Sequence, residues 1–289
     1  MKHTREVTLI LILLFLMAQI IGLGIINSYI DVEKVIEKKI VIIDGKEETI
    51  EIIVEKETVD KLPYGIERPE LKEKTSYLSI IFAVIIATIL ALILLKYQAM
   101  RLWKAWFFLS VFFTLMIAFN AFISSFFSLI LALALAFLKT FKNNFYIHNF
   151  TELFIYGGLA AIFVPVMGIA AMIIVLVVIS VYDFIAVFKT KHMIKMAKFQ
   201  TKIKLFAGLY VPYGKKAAIL GGGDLGFPLL FSGVVFRSYG WISLIIVLTS
   251  ALALSYLLFK SEKNKYYPAM PYLTIGCLIG YGIIRLMQI

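Results

Sequence analysis

Long apolar runs fill most of this sequence and strongly limit what it can fold into. A helix needs roughly 20 apolar residues to cross the hydrocarbon core of a bilayer. About nine runs of this kind lie near residues 7–30, 77–97, 104–121, 123–138, 150–166, 168–188, 217–237, 241–259 and 269–287. The sequence therefore predicts an all-α polytopic membrane protein, in which residues 1–289 form a single domain of about nine transmembrane helices.

The composition supports this class and argues against several others. Hydrophobic residues make up 61% of the chain and charged residues only 16%, whereas soluble domains are roughly half apolar and a quarter charged. The single cysteine, Cys277, lies in an apolar run, and the three histidines lack metal-ligand spacing. We predict no disulfide, no metal and no cofactor.

The basic residues indicate an orientation in the membrane. The net charge is +11, and lysine or arginine is concentrated in the loops 96–104, 139–147, 189–216 and 260–267. Such loops are usually retained in the cytoplasm, where they meet anionic lipid headgroups. We predict a multi-pass cell membrane protein with a cytoplasmic N-terminus and an extracytoplasmic C-terminus. We expect these lysine and arginine residues to contact membrane lipid, and we do not expect the protein to bind nucleic acid.

Two of the connecting segments have a distinct composition. Residues 31–76 hold thirteen of the eighteen acids, and we predict that they form an external hydrophilic loop. Within that loop, Val35–Ile43 and Lys46–Val54 flank Asp44-Gly45, a dipeptide that favours a tight hairpin turn. The second segment, 189–216, contains eight lysines and no acid, so we predict a basic cytoplasmic loop there.

Two aspartates lie inside apolar runs, where an ionisable group costs several kcal/mol and is kept mainly for function. Asp183 is about five residues before the cytoplasmic end of its run. Asp224 is about seven residues after the start of its own. At a rise of 1.5 Å per residue these depths are roughly 8 and 11 Å. The two carboxylates can therefore meet in the cytoplasmic half of the bilayer.

This pair suggests a hydrolytic chemistry. Apart from Arg237 at the far end of the second run, neither run contains lysine or arginine. Two neighbouring carboxylates would therefore share one proton, as in aspartic proteases. The ionised carboxylate can take a proton from an attacking water, while the protonated one hydrogen-bonds the developing oxyanion. The expected reaction is hydrolysis of an amide without a covalent intermediate.

The flanking residues fit a substrate site. Gly221, Gly222 and Gly223 lack Cβ atoms, so backbone or substrate can approach Asp224 closely. Pro268-Ala269-Met270-Pro271 opens the last run with two prolines three residues apart. We expect these prolines to prevent a regular helical start and to leave unpaired carbonyls that line the site.

Three motifs resemble those of the presenilin and signal peptide peptidase family. Tyr182-Asp183 resembles its YD motif, Gly221–Asp224 its GxGD motif and Pro268-Ala269-Met270 its PAL motif, in the same order along nearly the whole chain. Met270 replaces the leucine, a mild change of apolar shape. The short chain favours a prokaryotic homologue, and Pro271 favours the presenilin branch.

The resemblance implies an intramembrane aspartyl endopeptidase that cleaves transmembrane helices of other proteins. Asp183 and Asp224 would be catalytic. The active site would be supported by Tyr182, Gly221, Gly222 and Gly223, and substrate would be positioned by Leu225, Pro268, Ala269, Met270 and Pro271.

Two other functions use similar features. Paired intramembrane acids and broken helices also build cation- or proton-coupled transporters and ion leak channels, but these transporters often show an inverted repeat that is not apparent here. A prepilin-type peptidase would place its aspartates nearer the cytoplasmic surface. The sequence leaves open a homo-oligomer.

Overall fold

The computed structural model describes residues 4–43, 46–59, 61–69, 75–142, 144–189, 205–214, 216–262 and 267–287. Most of this part of the chain is helical. Its nine α-helices are α1 (Arg5–Asn27), α2 (Ser76–Lys96), α3 (Met100–Asn120), α4 (Ser125–Phe141), α5 (Phe145–Phe163), α6 (Ile169–Phe188), α7 (Gly222–Tyr239), α8 (Leu244–Lys260) and α9 (Met270–Met287).

The helices confirm the predicted class, an α-helical multi-pass membrane protein. Among the described residues, seven stretches are long and apolar enough to cross a bilayer. One of them, Gly222–Lys260, contains both α7 and α8, which are joined by a short 3-10 turn where Gly240 has a φ of 61°. Helix α4 is apolar but only 17 residues long. The number of nine spans therefore stays a prediction.

An antiparallel hairpin follows α1, as predicted. Its strands are β1 (Ile30–Ile43) and β2 (Lys46–Val59), with Ile43 opposite Lys46. Asp44-Gly45 itself lies outside the described residues. Both strands are longer than predicted: β1 begins five residues before the predicted run, and β2 ends five residues after it.

A second hairpin, absent from the sequence prediction, precedes α7. It consists of β3 (Gly208–Tyr213) and β4 (Lys216–Gly221), with Gly208 opposite Gly221. The prediction of a loop through residue 216 and a helix from residue 217 was wrong here. Residues 190–204 of that loop lie outside the described part of the chain.

The alternating burial of β4 explains this correction. Ala218 and Leu220 are buried, whereas Ala217 and Ile219 are exposed, which is the two-residue period of a strand. Three glycines follow at 221–223, and their low helix propensity disfavours a start of α7 before this point. Asp224 is consequently the third residue of α7 and does not lie two turns inside a helix.

Helix α7 lies at the centre of the bundle. It contacts α1, α5, α6, α8 and α9, and every residue from Leu225 to Phe236 is buried except Phe227. Small residues permit this close packing: a Cβ on Gly233 would lie 2.6 Å from Ile26 Cδ1 on α1. The central position of α7 fixes its N-terminal turn, which carries Asp224, against the surrounding helices.

Candidate functional site

Asp183 lies on α6, five residues before the helix ends at Phe188, and its side chain is buried. Its Oδ2 accepts a hydrogen bond of 3.1 Å from the Met270 N–H, and the Ala269 N–H also bonds to it. These N–H groups belong to the start of α9, where the helix has unpaired donors and a partial positive charge. The segment that begins α9 is thereby tied to Asp183.

Helix α9 starts regularly at Met270, whereas an irregular start was predicted. The predicted lining of the site by carbonyls of this segment stays a prediction. The Ala269 carbonyl accepts a hydrogen bond of 3.1 Å from the Leu273 N–H. Pro271 stands in the first turn of α9, where a missing N–H breaks no helical bond. The two prolines therefore allow a normal helical start, and the segment offers N–H groups to the site.

Asp224 stands at the start of α7 and is half-buried. Its carboxylate accepts a hydrogen bond from the N–H of Gly221, the residue that precedes the helix. An acid at the third position of a helix that bonds back to the N-cap N–H is half of a capping box. Asp183 lies close enough to Asp224 for a direct charge–charge interaction.

The structure brings some of the predicted site residues together and places others elsewhere. Ala269 and Met270 bond to Asp183, and Gly221 bonds to Asp224; the two aspartates are linked by their charge–charge interaction.

The Tyr182 hydroxyl lies 3.3 Å from Thr88 Oγ1 on α2. Leu225 is fully buried in the core, and its carbonyl accepts a hydrogen bond of 2.9 Å from Gln19 Nε2. Tyr182 thus faces α2, and the Leu225 side chain packs inside the bundle.

A buried polar cluster beside this site was missed by sequence reasoning. The Lys139 Nζ on α4 lies 2.6 Å from the Glu152 Oε1 on α5, and both side chains are 1% exposed. The Tyr156 hydroxyl donates to Glu152 Oε2, and the Gly208 N–H donates to the same oxygen over 2.9 Å. The sequence predicted a loop at 139–147 that includes Lys139, whereas Lys139 lies in the last turn of α4.

The same face of α5 holds strand β3 through two further side chains. His148 Nε2 lies 2.8 Å from the Gly208 carbonyl oxygen. The Asn149 amide donates to the Tyr210 carbonyl over 2.9 Å and accepts from the Tyr210 N–H over 3.1 Å. No local sequence pattern points to these contacts, since the partners are about 60 residues apart. The signal in the sequence was the set of polar residues at 148, 149 and 152, at the start of the apolar run 150–166.

The loop before Asp224 packs directly on this cluster. The Gly222 N–H donates to the Ala207 carbonyl over 3.1 Å. A Cβ on Gly222 would lie 2.7 Å from the Tyr156 hydroxyl oxygen, so the absence of a side chain lets the tyrosine approach. Across the described residues, no group of three or more His, Cys, Asp or Glu side chains is placed to hold a metal ion.

Comparison with known proteins identifies the family. The model of the family described as "Signal-peptide peptidase, presenilin aspartyl protease" matches residues 60–221, more than half of the chain, and the match ends three residues before Asp224. No curated protein is significantly similar to the chain.

Two solved structures share the fold. The structure of a presenilin family intramembrane aspartate protease in space group C222 aligns with a TM-score of 0.65 at 20% identity, covering 97% of this chain and 99% of that one. The structure of such a protease in space group P2 aligns with a TM-score of 0.64 at 20% identity, covering 96% of each chain. The family match and the shared fold together show that this chain belongs to the signal-peptide peptidase and presenilin family of aspartyl proteases.

Proposed function

We propose that Asp183 and Asp224 form the catalytic pair of this protease and that they hydrolyse peptide bonds within transmembrane helices of other membrane proteins. The observation that carries the proposal is the convergence of the two carboxylates. They come from α6 and α7 and meet next to the first turn of α9, in a chain of a family of aspartyl proteases.

The environment of the pair supports water activation. Each carboxylate is oriented by backbone N–H groups at a helix start, Asp183 by those of α9 and Asp224 by that of Gly221. Fixed donors of this kind hold catalytic groups without reorganisation during the reaction. With one proton shared by the pair, the ionised carboxylate takes a proton from water as the water oxygen attacks the peptide carbonyl. The protonated one donates to the carbonyl oxygen as charge develops there.

Hairpin β3–β4 supports binding of an unwound substrate. Among the described strands, β4 pairs only with β3, and it ends at Gly221, next to Asp224. An extended substrate segment can add to the other edge of β4 and so satisfy backbone groups that its unwound helix leaves unpaired. Gly223 is exposed, and Gly221, Gly222 and Asp224 are half-buried, so a scissile bond can reach the carboxylate from this edge.

The test is cleavage of a synthetic transmembrane peptide by purified protein in liposomes, with the products identified by mass spectrometry. We expect Asp183→Asn and Asp224→Asn each to abolish cleavage, because the amide cannot take a proton from water or share one with its partner. Both variants should keep the helical content and unfolding temperature of the wild type.

The matched control is Glu6→Gln, which changes an exposed acid in the first turn of α1 and should cleave at the wild-type rate. Cleavage at an undiminished rate by both Asn variants would refute the assignment of the pair.

A further inference from the structure

The buried residues Lys139, Glu152 and Tyr156, here called the anchor cluster, connect α4 and α5 to the hairpin that precedes Asp224. We propose that Glu152 is a positioning residue for proteolysis, which fixes hairpin β3–β4 and through it the Asp224 carboxylate. This inference rests on the catalytic role proposed above for Asp224. Glu152 itself acts only through its neighbours.

Both oxygens of Glu152 are occupied by strong donors. Oε1 binds the Lys139 ammonium over 2.6 Å, and Oε2 accepts from the Gly208 N–H over 2.9 Å and from the Tyr156 hydroxyl. Lys139 also donates to Thr151 Oγ1 over 3.1 Å. A buried ion pair is favourable only when further hydrogen bonds complete its geometry. The anchor cluster meets this condition and holds Glu152 in one orientation.

A short path of backbone contacts leads from Glu152 to Asp224. Glu152 holds Gly208, and Gly208 pairs with Gly221 across the hairpin. The Gly221 N–H then bonds to the Asp224 carboxylate. A second link runs from the Ala207 carbonyl to the Gly222 N–H. Movement of the start of β3 would therefore be transmitted to the first turn of α7, which carries Asp224.

Tyr156 provides a direct contact with the same loop. Positions for Cβ atoms on Gly222 and Gly226 would lie 2.7 Å from its hydroxyl oxygen and 3.5 Å from its Cδ1, so the ring packs along both glycines. Its hydroxyl is fixed by Glu152. The first turn of α7 thus packs against a side chain whose orientation Glu152 determines.

Lys139 gives the anchor cluster its charge balance. A lone buried carboxylate on α5 would be costly in an apolar interior, and an opposite charge is needed to offset it. The three hydrogens of the Lys139 ammonium have acceptors in Glu152 Oε1, Thr151 Oγ1 and the His148 carbonyl, the last at 3.3 Å. Lys139 therefore lets Glu152 hold the hairpin as a paired and fully hydrogen-bonded carboxylate.

The proposal has a kinetic signature. A misplacement of a catalytic group by about 1 Å can cost about a hundredfold in rate. Glu152 is buried behind the hairpin, with a side chain only 1% exposed. Its loss should lower kcat because Asp224 is displaced, and should also raise KM because β4 is the strand proposed to bind substrate. A residue that only stabilised the whole bundle would lower the unfolding temperature without changing kcat of the folded fraction.

The variants are Glu152→Gln, which removes the charge and one acceptor, and Tyr156→Phe, which removes only the hydroxyl. The control is Tyr146→Phe on the same helix, whose side chain is 78% exposed. For each variant, kcat and KM are measured with the transmembrane peptide, and hydrogen–deuterium exchange is followed in peptides covering residues 205–223. Thermal unfolding reports whether the variant is folded.

We expect Glu152→Gln to lower kcat at least about tenfold, with faster exchange at 205–223. Tyr156→Phe should change both quantities in the same direction by a smaller factor, and Tyr146→Phe should change neither. If Glu152→Gln fails to fold, the kcat and the hydrogen exchange of Tyr156→Phe test the proposal.

Folded variants with wild-type kcat and wild-type exchange would overturn the proposal, and so would a raised KM with unchanged kcat. If the Asn variants of Asp183 and Asp224 still cleave, the proposed function fails, and exchange at 205–223 still reports whether Glu152 holds the hairpin.

Discussion

A close contact between α5 and α3 predicts the effect of a single methyl group. Gly158 on α5 faces the backbone of α3, and a Cβ built on it would lie 1.9 Å from the Thr114 carbonyl oxygen. That distance is about 1.4 Å short of an ordinary carbon–oxygen contact of about 3.3 Å. Because the obstructing atom belongs to the backbone, a rotamer change cannot relieve the overlap. The substitution Gly158→Ala must push α5 and α3 apart.

Two opposing effects determine how Gly158→Ala changes the free energy of unfolding. Replacing glycine by alanine inside a helix stabilises the helix by about 0.5–1 kcal/mol. Forcing an extra carbon into a packed interface typically costs about 1–3 kcal/mol, and more when the backbone must move. For Gly158→Ala the overlap should dominate and lower the free energy of unfolding by at least about 1 kcal/mol.

The matched control is Gly282→Ala on α9, where a Cβ would meet no atom within 4 Å. It keeps the gain in helix propensity without the overlap and should raise stability slightly. Thermal unfolding in bicelles at one scan rate should therefore shift in opposite directions for the two variants. Equal shifts, or a Gly158→Ala variant more stable than the wild type, would refute the packing of α5 on α3.

Two further substitutions test contacts that position the site. Arg237→Met removes hydrogen bonds of 3.2 and 3.1 Å to the carbonyls of Val164 and Met167, which follow α5. Because hydrogen bonds to a charged donor contribute about 1.5–3 kcal/mol, Arg237→Met should lower the unfolding temperature more than Arg237→Lys does. Asn149→Asp removes the donor to the Tyr210 carbonyl and sets a carboxylate against it; hydrogen exchange at 208–213 should accelerate, and unchanged exchange would show that Asn149 does not hold β3.

The sequence alone predicted correctly those structural features that depend on residues close together in the chain. Hydropathy predicted the helices because each span must bury its own backbone hydrogen bonds in lipid. The turn dipeptide Asp44-Gly45 predicted the hairpin β1–β2, whose strands are adjacent in the chain. The three motifs indicated the family for the same reason, since each consists of a few consecutive residues.

Tertiary packing decided the features that depend on distant partners. Residues 217–220 are apolar enough for a helix, yet they form β4 because β3 pairs with them and α5 holds β3. Lys139 was predicted to lie in a loop, and only the packing of α4 on α5 buries it together with Glu152. In the folded protein these two charged side chains are buried and form one hydrogen-bonded ion pair.

By itself the sequence determined that the chain forms apolar helices, that two acids lie within them and that glycines and prolines flank the second acid and the last helix. Only the tertiary structure decided what those acids touch. Asp183 meets the N–H of Met270, 87 residues further along the chain, and Asp224 caps its own helix beside a hairpin anchored on α5. Contacts across such separations depend on how whole helices pack, and no local pattern of residues encodes that packing.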